Sequence, residues 1–272
     1  MSTSNDSPLP EDEPPKPFIV PHRHVEPSAV FEWLALGWQD FRKAPRVSLT
    51  YGLMVFTVSA LMAWVTYRLG GYVLLISALS GFVFIAPLLA FALYSVSRQL
   101  AEGRVPSLRN TLRAMRAPAG NAMVLALILL VVFLVWTRAG VMVHVFFPLE
   151  GHPSGIDIAT FLAIGSAVGA IFAAFTFAAI ATSLPMLANR DVDVVTAVVS
   201  SVNAVLRNKP AMALWAAAIV VLTLIGFATL FVGLIVIIPW LAYATWHSYR
   251  ALLNASQWPL LDHPQGKDRT RP

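Results

Sequence analysis

The sequence contains no cysteine. Disulfides, thiolate nucleophiles and cysteine-held metal centres are therefore excluded. Charge is scarce too: 12% of the 272 residues are charged, against 57% hydrophobic, and the mean hydropathy is +0.69. A soluble domain needs a more mixed surface than this. Motifs of catalysis are missing as well: no phosphate-cradling Gly-rich loop, no His-Glu-x-x-His helix, no Gly-x-Ser-x-Gly elbow. None of the fourteen acidic residues falls in the middle of an apolar run. Proton relays and membrane metal sites usually need one there.

What is present is long apolar sequence edged by cations. The organising stretch is Gly81 to Arg116. Its first half is apolar, and its second carries Arg98, Arg104, Arg109, Arg113 and Arg116 against the single acid Glu102. An apolar span running into an arginine-rich loop marks a cytoplasmic boundary. All but Arg68 and Arg138 of the nineteen Lys and Arg residues can be placed on that side, which predicts a multi-pass protein with both termini in the cytoplasm. The basic pI then reflects membrane edges, and no nucleic-acid partner is expected.

In chain order, residues 1–27 hold seven prolines and the acidic run Glu11-Asp12-Glu13. They read as a disordered tail, with no signal-peptide pattern. His22 and His24 flank Arg23 without further ligands, so no metal is expected. From Ser28, a residue able to cap a helix, Val30, Leu34, Trp38 and Phe41 recur at helical spacing up to Pro45. This helix either lies in the membrane interface or packs on the bundle. Six spans are expected: 47–67, 72–97 after a turn at Arg68-Leu69-Gly70-Gly71, 121–136, 158–187, and two short ones within the uncharged run 211–249, turning near Gly226. Arg138 is placed to snorkel to the outer interface, followed by an external loop around Pro148–Pro153. A second amphipathic helix is expected over 193–210, with Val194, Val198, Val202 and Val205 on one face. Residues 254–272 read as a flexible tail.

These segments repeat. Ser28 to Pro45 and Asp193 to Pro210 have equal length and both end apolar-Arg-x-x-Pro, and Ser107 to Pro118 is a shorter copy. The sequence thus implies an all-α, polytopic transmembrane helical bundle. It comprises three helical hairpins, each preceded by an amphipathic interfacial helix, with repeats at about 28–98, 107–187 and 193–250 in one membrane domain, 28–253. Gly81 and Pro87 recur as Gly233 and Pro239, so kinks at equivalent central positions are expected. Gly165, Gly169 and Ala173 form a small-residue ridge suited to close helix packing. Arg109, Arg113 and Arg116 share one helical face, opposite Leu108, Leu112 and Met115, and are candidates for contact with anionic lipid.

The run Leu36-Gly37-Trp38-x-Asp40-Phe41, the stretch from Pro45 to Tyr51-Gly52, and Ser80-Gly81-Phe82 through Pro87-Leu88-Leu89 together resemble a known family. So do Ser95 to Arg98 and Pro106-Ser107-Leu108. It is the set of bacterial predicted integral membrane proteins grouped under a domain of unknown function, and the likeness runs from about Val30 to Leu253. The resemblance implies a bacterial cytoplasmic (inner) membrane protein, and the family supplies no functional residues to carry over. No catalytic residue, cofactor or metal is therefore expected. The function read from the sequence is a non-enzymatic membrane component, either a scaffold, an assembly partner or an accessory factor, with the lipid bilayer, a membrane-protein partner or its own copy as partners. A permease or channel for a small solute is the alternative, and a membrane enzyme ranks below both.

Overall fold

A computed structural model describes residues 17–146 and 154–261, without side-chain detail for residues 71–77, 80, 83–86 and 144. The first sixteen residues, the expected external loop at 147–153 and the last eleven residues lie outside it. Helices are the only regular elements of more than isolated bridges among the described residues. They are α1 (Ala29–Lys43), α2 (Pro45–Ala101), α3 (Leu108–Ala114), α4 (Ala119–Phe146), α5 (Gly155–Ile180), α6 (Ser183–Asn189), α7 (Val194–Arg207), α8 (Lys209–Ala228) and α9 (Leu234–Leu252). By length and composition, four described stretches can cross a membrane: Pro45–Gly70, Ala119–Val143, Gly155–Asn189 and Lys209–Ala228.

Helix α2 is helical over 57 residues, which would reach ~85 Å if straight. It is not straight. The Tyr51 hydroxyl donates to the Leu89 carbonyl, 38 residues on, whereas a straight helix would separate them by ~57 Å. The element must bend back between them, and the midpoint is Gly70. The expected turn at Arg68-Leu69-Gly70-Gly71 thus coincides with a reversal that keeps helical backbone throughout. The other expected break, in the run 211–249, falls at Thr229–Gly233, between α8 and α9.

The two ends of the bundle differ. At one end, here the near end, α1, α6, α7, the last turns of α9 and both terminal segments pack into a dense core with Trp33, Leu184, Trp215, Tyr243 and Trp246 fully buried. Towards the far end, where Gly70 lies, α2, α4 and α5 expose Leu61, Trp64, Leu134, Val135, Leu162 and Ile171. Apolar side chains that find no protein partner need a non-aqueous surrounding, and large apolar patches of this kind are absent from soluble monomers.

Several expectations change at the near end. Helix α1 packs on α9 and α8, the bundle alternative, and its core face is Val30, Trp33, Gly37, Asp40 and Phe41, while Trp38 and Phe31 remain exposed. Ser28 does not cap it, since its hydroxyl turns to Glu26 instead. Helix α7 buries Thr196, Ala197, Ser200, Ser201 and Ala204 together with Val194, while the rest of the valine row, Val198, Val202 and Val205, is half-buried; small hydroxyl residues let the neighbouring backbones come close enough to be hydrogen-bonded. Helix α4 continues through Arg138 to Phe146, where a stop near Trp136 was expected.

The tails also differ from the expected disorder where they are described. Val20 is fully buried, and residues 20–25 run as an extended strap across α7 and the end of α9. Trp258 is buried, and Leu260 pairs with Arg190. Backbone groups in these segments would otherwise need water; here they are paired with the bundle.

Candidate functional site

A set of buried polar side chains gathers in the near-end layer and ties one element to another. Asp40 on α1 is buried, and its Oδ2 accepts from His247 Nε2 on α9 at 2.9 Å. Ser48 Oγ donates to the Ala44 carbonyl at 2.7 Å, so the Tyr243 hydroxyl 2.8 Å away donates to Ser48. Asn189 on α6 donates to the Tyr249 hydroxyl at 3.1 Å. Ser201 accepts from the Thr182 backbone and donates to the Ala178 carbonyl, which fixes the break between α5 and α6 against α7. A buried polar group costs stability unless paired, so these contacts lock one arrangement of the helices.

The terminal segments are held the same way. Asn208, between α7 and α8, accepts from the Val25 N–H at 2.9 Å and donates to the Arg23 carbonyl at 3.1 Å. Its amide therefore reads the strap as a neighbouring β-strand would. Ser200 accepts from the Val20 N–H at 2.9 Å. His22 pairs with Leu253, flanked by Arg23 N–H to the Leu252 carbonyl and Asn254 N–H to the Pro21 carbonyl. Burial, and then the charges of His24 and Arg207, hold the His22 pKa below the ordinary histidine value. At the other terminus, Arg190 donates to the Trp258 carbonyl, and Leu261 N–H to the Asn189 carbonyl.

The seams of α1 and of α2 with α9 each depend on a glycine that sequence reasoning did not single out, Gly37 and Gly52. A Cβ on Gly37 would lie 2.6 Å from the Ala244 nitrogen, and one on Gly52 would overlap the Ile235 carbonyl oxygen. That carbonyl is the one Pro239 deprives of its helical N–H partner, four residues later. Gly52 thus lets α2 approach a freed carbonyl closely enough for Cα–H···O contact. The Pro239 kink was expected to face protein, and Pro239 is buried; Pro87 is half-buried. Only the partner of the kink was illegible, because it requires knowing which helix crosses α9.

The remaining expected residues divide. Gly81 packs on the Phe133 ring of α4, where a Cβ would come within 3.1 Å. Gly233 lies at the start of α9 against Gly226 and Thr229. Gly165 and Gly169 face open space, so among the described residues no helix packs on that part of the expected ridge. Arg109 and Arg113 lie on α3, exposed and half-buried respectively, but the helix ends at Ala114 and Arg116 falls in the following turn, so the three-arginine face is cut to two. The buried side of α3 is Thr111, while Leu108 and Leu112 are exposed. His247 is paired with Asp40. No group of three or more metal-ligand residues occurs among the described residues.

No curated protein and no solved structure matches the chain. Residues 73–189, which cover the second half of α2 through α6, match the family described as predicted integral membrane protein (DUF2189), so that segment is similar to a family of unknown function.

Proposed function

We propose that the chain is a non-enzymatic component of a bacterial inner membrane, a scaffold or accessory partner with its near end and both termini in the cytoplasm. The observation that carries this reading is how the near-end layer is used. Asp40, His247, Ser48, Tyr243, Asn189, Tyr249 and Asn208 are each committed to holding elements together. A rigid platform follows from such ties, whereas a transporter needs elements free to rearrange.

Charge asymmetry supports the orientation, since Arg42, Lys43, Arg190, Arg207 and Lys209 all belong to the near end. The six apolar segments of the sequence correspond to the halves of α2, to α4 and α5, and to α8 and α9. Their origin as repeats is supported by two joints of like backbone: Ala44 before Pro45 at φ −127°, ψ 50°, and Asn208 before Lys209-Pro210 at φ −124°, ψ 39°. Arg109 and Arg113 beside the exposed Leu108 and Leu112 suit an interfacial contact with anionic headgroups, acyl chains taking the leucines.

Pull-down of the tagged protein from native membranes in lipid nanodiscs, read by mass spectrometry, tests the reading. A stoichiometric partner bound through the near-end face is expected. A solute that raises the melting temperature of the purified protein, with no co-purifying partner, would contradict it in favour of a permease.

A further inference from the structure

The turn between α8 and α9 is unlike the other reversals of the chain. The run Gly226-Phe227-Ala228-Thr229-Leu230-Phe231-Val232-Gly233 carries no charged residue. The α2 reversal, by contrast, carries Arg68, whose guanidinium lies 5.8 Å from the centre of the Trp64 ring. A tryptophan and an arginine together fit a headgroup region. The α8–α9 tip offers nothing of the kind, and its Leu230 is 79% exposed.

Two contacts give the depth of the tip relative to that reversal. Phe227 packs edge-on against Phe82, ring centres 5.3 Å apart. Phe82 is twelve residues short of Gly70, or ~18 Å at helical rise. Independently, Ile235 meets Gly52, which is eighteen residues short of Gly70, or ~27 Å. Leu230 is three residues beyond Phe227 and five before Ile235, so at most ~5–8 Å is recovered. Both routes leave the tip ~13–20 Å short of the α2 reversal, within a hydrocarbon layer ~30 Å thick.

A turn in that position cannot use water for its backbone. Its N–H groups do not need it. Thr229 N–H donates to the Ile225 carbonyl, Leu230 to Phe227, Phe231 to Gly226, Val232 to Thr229, Leu234 to Phe231 and Ile235 to Val232, all between 2.9 and 3.1 Å. Gly233 N–H, which has no carbonyl, donates to Thr229 Oγ1 at 2.9 Å, and that hydroxyl in turn donates to the Gly226 carbonyl. Leu230 and Phe231 take positive φ, 52° and 68°, to close the turn. Ordinary side chains accept that strain where polar turn residues would be worse placed.

We propose that α8 and α9 form a re-entrant hairpin, entering and leaving at the near face, with the tip at Leu230 and Val232 seated among lipid acyl chains in the membrane interior. The pair then contributes no full crossing, although α8 alone is long enough for one. Its first turns, where Met212 and Trp215 are buried against Val30 and Trp33, stand in the near-end layer instead.

The absence of native cysteine makes this directly testable. Leu230→Cys and Leu69→Cys alter side chains of matching exposure, 79% and 78%, so a difference in labelling reports the surroundings rather than protein cover. Each variant is treated with a membrane-impermeant maleimide in right-side-out and in inverted vesicles, and again after denaturation in SDS. The expected result is rapid labelling of Cys at 69 from the far side, at least tenfold slower labelling at 230 from either side, and full labelling of both in SDS. A spin label at 230 should be more accessible to oxygen than to a nickel chelate. Labelling at 230 from the far side at the rate of position 69 would establish two full spans and overturn the proposal. Rapid labelling at 230 from the near side would overturn it equally.

Discussion

Gly52→Ala tests whether the α2–α9 seam is as tight as the geometry requires. The added methyl would overlap the Ile235 carbonyl oxygen, a backbone atom that cannot rotate away. To restore ordinary contact the two helices must part by about 1.5 Å, and a gap of even 0.5–1 Å forfeits roughly a quarter to a half of each pairwise dispersion well. Tyr51, Val55 and Ile238, all within 5% exposure, are buried in the core cluster around this seam. Overpacking a tight core costs about 1–3 kcal/mol, and alanine returns up to ~1 kcal/mol in helix propensity. With the backbone clash at the upper end of that range, a net loss of ~2 kcal/mol is expected, or a melting temperature lower by ~4–8 °C for a chain of this size. Gly169→Ala is the control, because it makes the same chemical change in a helix with open space around it. It should leave the melting temperature unchanged or raise it slightly. Thermal unfolding in detergent, followed by circular dichroism, measures both. Equal melting temperatures for the two variants would refute the reasoning.

The strap and the surface give further expectations. Asn208→Asp replaces the donor facing the Arg23 carbonyl by an acceptor, so the strap should be released at a cost of about 1–3 kcal/mol, seen as faster amide exchange at Val20 and Val25 with the bundle amides unchanged. His22 has a lowered pKa in the docked state, so the released strap binds the proton more readily; docking is therefore strongest above the ordinary histidine value and weakens as pH falls below it. Exchange at the same two amides, corrected for intrinsic rate, should rise between pH 7.5 and 5.5, and His22→Gln should remove most of that dependence. Changing Arg109 and Arg113 together to Gln should reduce anionic-lipid retention in native mass spectrometry, each cation contributing about 1 kcal/mol near a charged surface; adding Arg116→Gln should change less, since it lies beyond the end of α3.

How much was legible follows from the range of each signal. The apolar runs and the reversal at Gly70 are local, and they stand as the sequence implies. Faces of the short helices were harder. Valine spacing in α7 pointed to one side, but of that row only Val194 is buried, and the most buried side is the one whose Ser200 and Ser201 hydroxyls reach the strap and the α5–α6 break. In α1 the stripe of Leu34 and Trp38 competed with Trp33, Gly37 and Asp40, and only the presence of His247 on α9 decides for the latter. Residues 18–25 resembled a disordered tail because Pro, His and Arg carry no periodicity. Their order comes from Asn208 and Leu253, more than 180 residues away. Gly52 and Gly37 were visible only as members of a motif. Their meaning depends on the helix opposite, as does the openness around Gly165 and Gly169.

Both terminal segments are built into the near-end layer. His22 and Leu253 are an antiparallel pair whose flanking residues make the backbone bonds, so their Cα atoms lie about 4.5 Å apart, within the range a disulfide accepts. In a chain without other cysteines, His22→Cys with Leu253→Cys, oxidised by copper phenanthroline in nanodiscs, should cross-link nearly completely within minutes, while His22→Cys with Leu69→Cys should not. A folded double variant in which the 22–253 pair cross-links no faster than that control would show that the strap is a free tail and would contradict the clamped platform.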